Sequence, residues 1–288
     1  MDVIMGLVAA VLWGSADFLI GINARAVGIR RAVFFGQLLG LLLMGLIVSI
    51  SAGQLEKVLV APASALLLGG AAALCTVLGA LSLSKAFATG NTALVAPIVT
   101  SYGIFTTLLA WLGGDELSPW QFVGLLTCFL GVLLASSASK ASEQGRFMSR
   151  LPIGFALLAA ALYGFSFWLQ GKFVLPSLGP VNMLALGYAV GVVFLIREAL
   201  KLLRSWSKIS AGTCASLCGA SLCNLGGFSA FSWGASNGSI SIVTVISTLS
   251  GGIAAILGFL FYRERLSCLQ MVGVSMVLAG AVLLHLFG

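Results

Sequence analysis

The first candidate for chemistry is the carboxylate of Asp17, which lies in the apolar stretch VLWGSADFLIG at residues 11–21. A charged side chain at the centre of a membrane-spanning helix costs about 2.5–3.5 kcal/mol on insertion scales, so it normally faces a cavity or a partner. Trp13 lies four residues earlier, and therefore on the same face of a helix. This pair predicts a site for a positively charged group beside an aromatic ring. The alternative is a carboxylate held by a structural partner without any functional role.

Lys85 is the basic side chain that could neutralise Asp17 within the protein. In an alternating bundle the first and third helices run in the same direction, which would bring the two residues to similar depths. Burying both charges without pairing them would be unfavourable. The alternatives are that Lys85 extends to the membrane interface, and that a proton or an ammonium group of a solute meets Asp17.

The elements that must position these residues are membrane-spanning helices. Of the 288 residues, 60% are hydrophobic and only 8% are charged, whereas soluble domains are about 25% charged. Apolar runs of roughly 20 residues, long enough for a helix to cross a bilayer, recur along the chain. Ten spans are predicted, at residues 4–22, 32–51, 64–84, 92–112, 118–138, 152–170, 181–196, 209–233, 239–261 and 267–287. Because helices satisfy their own backbone hydrogen bonds in lipid, the expected class is an all-α integral membrane protein.

The chain also contains an internal repeat. Residues 72–116 align with residues 220–264 without a gap, and several glycines coincide. The segment LWGSADF at 12–18 aligns in the same way with LYGFSFW at 162–168. The two halves of the chain are therefore expected to fold alike.

The repeat predicts a domain organisation with a five-helix unit at residues 1–138, a basic linker loop at 139–151 and a second five-helix unit at 152–288. An odd number of helices per unit inverts the second copy relative to the first. Inverted repeats have a pseudo-two-fold axis in the membrane plane and a site between the halves. The sequence thus predicts ten transmembrane helices, arranged as two inverted five-helix repeats around a central cavity.

The repeat extends the candidate site to the second half of the chain. Tyr163 and Phe167 align with Trp13 and Asp17, and Gln170 continues the same helix face. Other polar side chains within predicted spans would line a wet cavity or hydrogen-bond across helices. The full set of candidate solute-binding residues is Trp13, Asp17, Lys85, Tyr102, Tyr163, Phe167, Gln170, Asn224 and Ser250.

The sequence gives no support for catalysis. Six cysteines lie in or beside the predicted spans without clustered carboxylates, and the single histidine is His285. Packing is therefore a better explanation of the cysteines than metal binding. The chain contains no nucleophile–base set and no phosphate-binding loop. We expect no enzymatic activity, no metal, no cofactor and no nucleic-acid partner.

Several segments resemble a known family. LWGSADFL, SKAFATGNTALVAPI and WLGGDELSPWQFVGLLTCFLGVLL resemble the first half of an EamA-type member of the drug/metabolite transporter superfamily. GASNGSISIVTVI and FYRERLSCLQMVGVSMVLAGAVLL resemble its second half. This resemblance implies ten helices around a central cavity and secondary transport of small organic solutes.

The expected function is therefore a secondary transporter, and specifically an exporter, of small metabolites such as amino acids, working by alternating access. Cationic drugs, nucleosides or sugars are alternative substrates. A membrane-embedded enzyme or a non-transporting membrane subunit is the alternative of another class. The expected partners are a small-molecule solute, membrane lipid and a coupling proton, and the expected location is the bacterial inner membrane. The sequence sets no oligomeric state.

The orientation of the chain has two conflicting indications. Basic residues concentrate in the loops after odd-numbered spans, which predicts that these loops are cytoplasmic and that both termini face outward. The resembled family usually has cytoplasmic termini. Within the basic set, the stretch REALKLLRSWSK at 197–208 predicts an interfacial extension of the seventh span.

Overall fold

A computed structural model describes the fold. The described residues are the whole chain except Met1, Ala52, Asp115, Leu117, 138–142, 206–208, 238–245, Thr248, 264–265 and 287–288. The described residues form helices joined by short connections, which confirms the all-α class.

The helices of the first half are α1 (Asp2–Val27), α2 (Ile29–Ile50), α3 (Gln54–Val60), α4 (Ala63–Thr89), α5 (Thr92–Val99), α6 (Tyr102–Leu112) and α7 (Pro119–Ser137). Those described in the second half are α8 (Glu143–Leu169), a π-helical turn (Gln170–Val174), α9 (Leu175–Phe194), α10 (Ile196–Ser205), α11 (Ala211–Asn237), α12 (Ser250–Tyr262) and α13 (Cys268–Leu286). The short helix α3 was not predicted from the sequence.

The described chain contains six segments long and apolar enough to cross a membrane, and three shorter apolar helices. The six are Val3–Val27, Ile29–Ile50, Ala63–Thr89, Thr92–Leu112, Arg150–Phe194 and Ala211–Phe231, and the three are Pro119–Ala135, Ser250–Tyr262 and Cys268–Leu283. The segment Arg150–Phe194 has 45 residues and contains the predicted span 152–170 and most of the predicted span 181–196. It is interrupted at Gly179, whose φ of 71° is readily adopted only by glycine. The count of ten spans stays a prediction.

Two of the helix boundaries have a clear local cause. Pro97 has no backbone N–H to continue a helical ladder, and α5 ends two residues later. At the start of α7, the Ser118 N–H donates to Gln121 Oε1 (2.9 Å) and the Gln121 N–H donates to Ser118 Oγ (3.2 Å). This reciprocal pair is a capping box, and it sets where α7 begins. Ser267 and Gln270 make the same pair of bonds before α13, at 3.0 Å and 3.2 Å.

The packing of the helices is similar when the two halves are exchanged. In this exchange α1 corresponds to α8, α2 to α9, α4 to α11, α5 and α6 to the segment that ends in α12, and α7 to α13. Helix α1 packs against α11 and α12, and α8 packs against α4, α5 and α6. Three further contacts, α2 with α9, α5 with α12 and α7 with α13, join equivalent elements. This is the pattern expected for a repeated unit.

Two aligned glycines make equivalent close contacts. A Cβ added at Gly14 of α1 would lie 2.8 Å from the carbonyl oxygen of Ser250 in α12. A Cβ added at Gly164 of α8 would lie 2.7 Å from the carbonyl oxygen of Tyr102 in α6. Both distances are too short for any side chain, so α1 and α8 each approach their neighbour through a glycine. These contacts hold the helices that carry Asp17 and Phe167.

Candidate functional site

Asp17 lies in the middle of α1 and is only partly buried. Its carboxylate interacts electrostatically with Tyr102 of α6 and Tyr163 of α8, so the three side chains share one region of the protein. Among the described residues, the Asp17 carboxylate makes no hydrogen bond and no ion pair. An intramembrane charge without a protein partner needs water, a proton or a solute to compensate it.

An aromatic cluster forms one side of this region. The ring centroids of Tyr102 and Phe167 lie 5.1 Å apart in an edge-to-face arrangement, and those of Tyr163 and Phe167 lie 6.3 Å apart in a stacked one. Thr106 Oγ1 donates to the carbonyl oxygen of Gly164 at 3.2 Å, which fixes α6 on α8. Aromatic faces carry partial negative charge and attract cations as well as apolar groups.

Gln170 is connected to a buried polar network between α8 and α4. Gln170 Nε2 donates to Ser166 Oγ at 2.8 Å, and Ser166 Oγ donates to the carbonyl oxygen of Ala72 at 2.7 Å. Thr76 Oγ1 lies 2.8 Å from the same Ser166 oxygen. Gln170 also begins the π-helical turn, a feature that is common at functional sites. The amide nitrogen of Gln170 is thus already bonded to the protein.

Trp13 is held against α11. Its indole N–H donates to the carbonyl oxygen of Asn224 at 3.2 Å. Its ring centroid lies 5.0 Å from that of Phe228 and 5.7 Å from that of Phe231. A Cβ added at Gly227 would lie 2.5 Å from the Trp13 ring, so the indole lies directly on this glycine. These contacts tie the helix that carries Asp17 to α11.

Asn224 bonds across helices, as the sequence indicated. Its Nδ2 donates to the hydroxyl oxygen of Tyr188 in α9 at 3.3 Å. The Tyr188 ring lies against Gly40 of α2, where an added Cβ would overlap it. Sequence reasoning missed Tyr188. The usable signal in the sequence is the glycine pair Gly36 and Gly40, because small residues four apart on a helix allow a neighbour to approach closely.

Within the described part of the chain, neither Lys85 nor Ser250 forms an ion pair or a hydrogen bond with Asp17. Lys85 lies within α4, beyond the predicted end of the third span, and forms no ion pair with Asp17 in the described chain. The Asp17–Lys85 pair is therefore not present in this structure. Ser250 is buried at the start of α12, where its carbonyl oxygen faces Gly14.

Two basic side chains bond to the carboxyl ends of neighbouring helices. The Arg25 guanidinium donates to the carbonyl oxygen of Phe87 at 2.7 Å, and its central carbon lies 4.9 Å from the centroid of the Tyr262 ring. Lys172 Nζ donates to the carbonyl oxygen of Gly113 at 2.8 Å, just after α6. Helix ends leave carbonyl groups unsatisfied, and a nearby cation compensates them. Arg25 thereby links α1 to the ends of α4 and α12.

The described residues contain no group of three or more histidine, cysteine, aspartate or glutamate side chains that could hold a metal ion.

The chain matches one known protein family twice. The matches are to the EamA-like transporter family, at residues 1–137 and 150–286. The chain belongs to the EamA-like transporter family. It is therefore a multi-pass membrane transporter and not an enzyme.

Solved structures support the fold of this EamA-like transporter. One, titled only "Crystal structure of protein", matches with a TM-score of 0.62 and 15% sequence identity over 98% of this chain and 95% of that chain. At this identity the likeness shows the fold alone. No curated protein matches the chain. The two family matches, one in each half, suggest a repeated unit, whereas the predicted domain boundaries and solute-binding residues stay predictions.

Proposed function

We propose that this EamA-like transporter exports small organic metabolites that carry an amino group, such as amino acids. In this proposal ten spans form two inverted five-helix repeats, and the solute binds between them in alternating access to the two sides of the membrane. The observation that carries the proposal is the Asp17 carboxylate, which is partly exposed beside Tyr102 and Tyr163 and has no ion-pair partner in the described chain.

The ammonium group of the solute would meet Asp17. A carboxylate next to aromatic rings attracts a cation in two ways. The cation forms an ion pair with the carboxylate, and it is also attracted to the faces of the rings. The apolar body of the solute would then lie against Tyr163 and Phe167, which stack on each other. The side-chain oxygen of Gln170, Oε1, would accept a hydrogen bond from the solute, because the side-chain nitrogen Nε2 is already bonded to Ser166.

The other candidate residues would act mainly by holding the site together. Trp13 and Asn224 bond to each other across α1 and α11 and so position the helix that carries Asp17. Lys85 and Ser250 stay candidates for solute contact in another conformation of the transport cycle. A proton is the natural coupling ion in this scheme, because it could neutralise Asp17 once the solute has left.

Reconstitution of the purified full-length protein in liposomes tests the proposal. The liposomes are loaded with a mixture of amino acids, a cationic drug, nucleosides and sugars, and efflux of each compound is measured. We expect efflux of amino compounds. Hydrogen bonds to charged groups contribute about 1.5–3 kcal/mol, so Asp17→Asn should reduce apparent affinity by about 10- to 150-fold.

Glu56→Gln is the matched control, because it removes a carboxylate from an exposed position on α3. It should leave efflux unchanged. Efflux of sugars or nucleosides alone, or unchanged amino-compound efflux in Asp17→Asn, would contradict the proposed role of the carboxylate.

A further inference from the structure

Helix α10 carries an exposed face that combines basic and apolar side chains. Ile196, Leu200 and Arg204 are spaced four residues apart and are all exposed, at 55% and 63% for the two apolar residues. Arg197 and Lys201 form an adjacent exposed row. Because residues four apart share a helix face, these five side chains form one continuous surface. We call this surface the α10 face.

The opposite side of α10 is packed into the protein. Leu195 and Ala199 belong to a core cluster with Val33 and Phe34 of α2. Glu198 is 5% exposed and accepts a hydrogen bond from Lys201 Nζ at 2.8 Å. The buried carboxylate therefore pairs with one of the three basic side chains of the α10 face, Lys201. The packing leaves the basic side chains Arg197, Lys201 and Arg204 exposed.

The first turn of α2 adds positive charge at the same end of the bundle. Val33 and Phe34, which pack with Leu195, lie only a few residues after Arg30 and Arg31. Two adjacent helices thus bring five basic residues to one end of the bundle, namely Arg30, Arg31, Arg197, Lys201 and Arg204. The acidic residue of α10 is Glu198, which is buried. Among the described residues, neither Arg197 nor Arg204 forms an ion pair.

We infer that the α10 face binds the headgroups of anionic phospholipids, with Arg197 and Arg204 on the phosphates and Ile196 and Leu200 inserted among the acyl chains. A basic helix with exposed apolar side chains is typical of helices that lie in the membrane interface. Basic residues beside a membrane attract anionic lipids by about 1 kcal/mol each, which corresponds to about five-fold in binding. This inference goes beyond transport, since no solute-site residue takes part.

The two exposed apolar residues favour a lipid over other anions. A soluble phosphate compound or a nucleic acid would bind to the basic residues and gain little from Ile196 and Leu200. Exposed apolar side chains at a membrane surface gain from burial among acyl chains. A phospholipid satisfies both halves of the α10 face in one molecule.

Native mass spectrometry of the purified full-length protein in detergent tests this inference. Phosphatidylglycerol and phosphatidylcholine are titrated separately, and apparent dissociation constants are obtained from the fraction of lipid-bound protein. We expect tighter binding of phosphatidylglycerol. The double variant Arg197→Gln/Arg204→Gln loses two basic contacts and should bind phosphatidylglycerol about 30-fold more weakly. Lys201 is left unchanged because its loss would strand Glu198.

The control is Lys57→Gln/Arg150→Gln, which removes the same charge from exposed positions on α3 and α8. It should bind phosphatidylglycerol as the unchanged protein does. A second variant, Leu200→Gln, keeps every charge and should also weaken phosphatidylglycerol binding. Thermal unfolding of each variant establishes that it is folded.

Three results would overturn the inference. They are equal binding of the two lipids, equal loss in the control variant, and equally tight binding of glycerol phosphate, which has the headgroup chemistry without acyl chains. This experiment measures lipid binding and not efflux. A negative result would therefore contradict the lipid-binding inference without bearing on the proposed transport.

Discussion

Gly280 lies where α13 crosses α7, and its replacement by alanine tests how closely these helices approach. An added Cβ would lie 2.6 Å from the backbone nitrogen of Cys128 and 2.8 Å from the carbonyl oxygen of Gly124. Both are backbone atoms, so no side-chain rotation relieves the overlap and the helices must separate. Gly131 and Gly273 make the equivalent contact at the next crossing point, with an added Cβ of Gly131 only 2.7 Å from the Gly273 oxygen.

Two opposing effects set the magnitude for Gly280→Ala. Inserting a methyl group into a tightly packed contact costs about 1–3 kcal/mol. Alanine in place of glycine in a helix stabilises by about 1 kcal/mol. The overlap is with backbone, so the upper part of the range applies, and we expect a net loss of about 1–2 kcal/mol.

The assay is thermal or denaturant unfolding of the purified protein in detergent. Gly45→Ala is the control, because Gly45 of α2 is exposed and an added Cβ would meet nothing within 4 Å. It should be neutral or slightly stabilising. If Gly280→Ala and Gly45→Ala unfold at the same point, the close approach of α7 and α13 is refuted.

Two further predictions concern hydrogen bonds at the ends and in the interior of the bundle. Arg25→Gln removes the charged bond to the Phe87 carbonyl and should lower stability by about 1 kcal/mol, since the side chain is exposed; Lys57→Gln, measured in the same unfolding assay, should have no effect. Ser166→Ala removes the fully buried partner of Gln170, and unfolding should show a loss of about 1–3 kcal/mol because polar groups are left unpaired. Unchanged stability in Ser166→Ala would contradict the network.

Features with a local cause were predictable from the sequence. A serine followed by a proline is typical of a helix start, and Ser118 does cap α7 through its bonds with Gln121. Proline interrupts helices, and α5 ends two residues after Pro97. Each of these depends on residues within a few positions of one another, so no knowledge of the fold is needed.

Contacts between helices were much less predictable. Helical periodicity placed Trp13 and Asp17 on one face, but it did not show that the indole N–H bonds to the carbonyl oxygen of Asn224. It also suggested Lys85 as a partner for Asp17 on depth alone, and the structure contains no such pair among its described residues. Periodicity fixes the direction of a side chain and its approximate depth. It does not fix which helix lies opposite or how close that helix comes.

The two halves differ in the chemistry of the site much more than in their packing. Tyr163 lies against Gly79 just as Trp13 lies against Gly227, the aligned glycine. Asp17, by contrast, aligns with Phe167. In an inverted repeat that rocks between two states, α1 and α8 exchange environments, but each keeps its own side chains. In our proposal the solute would therefore find its carboxylate on α1 and its aromatic wall on α8 in both states, and would keep one orientation throughout transport.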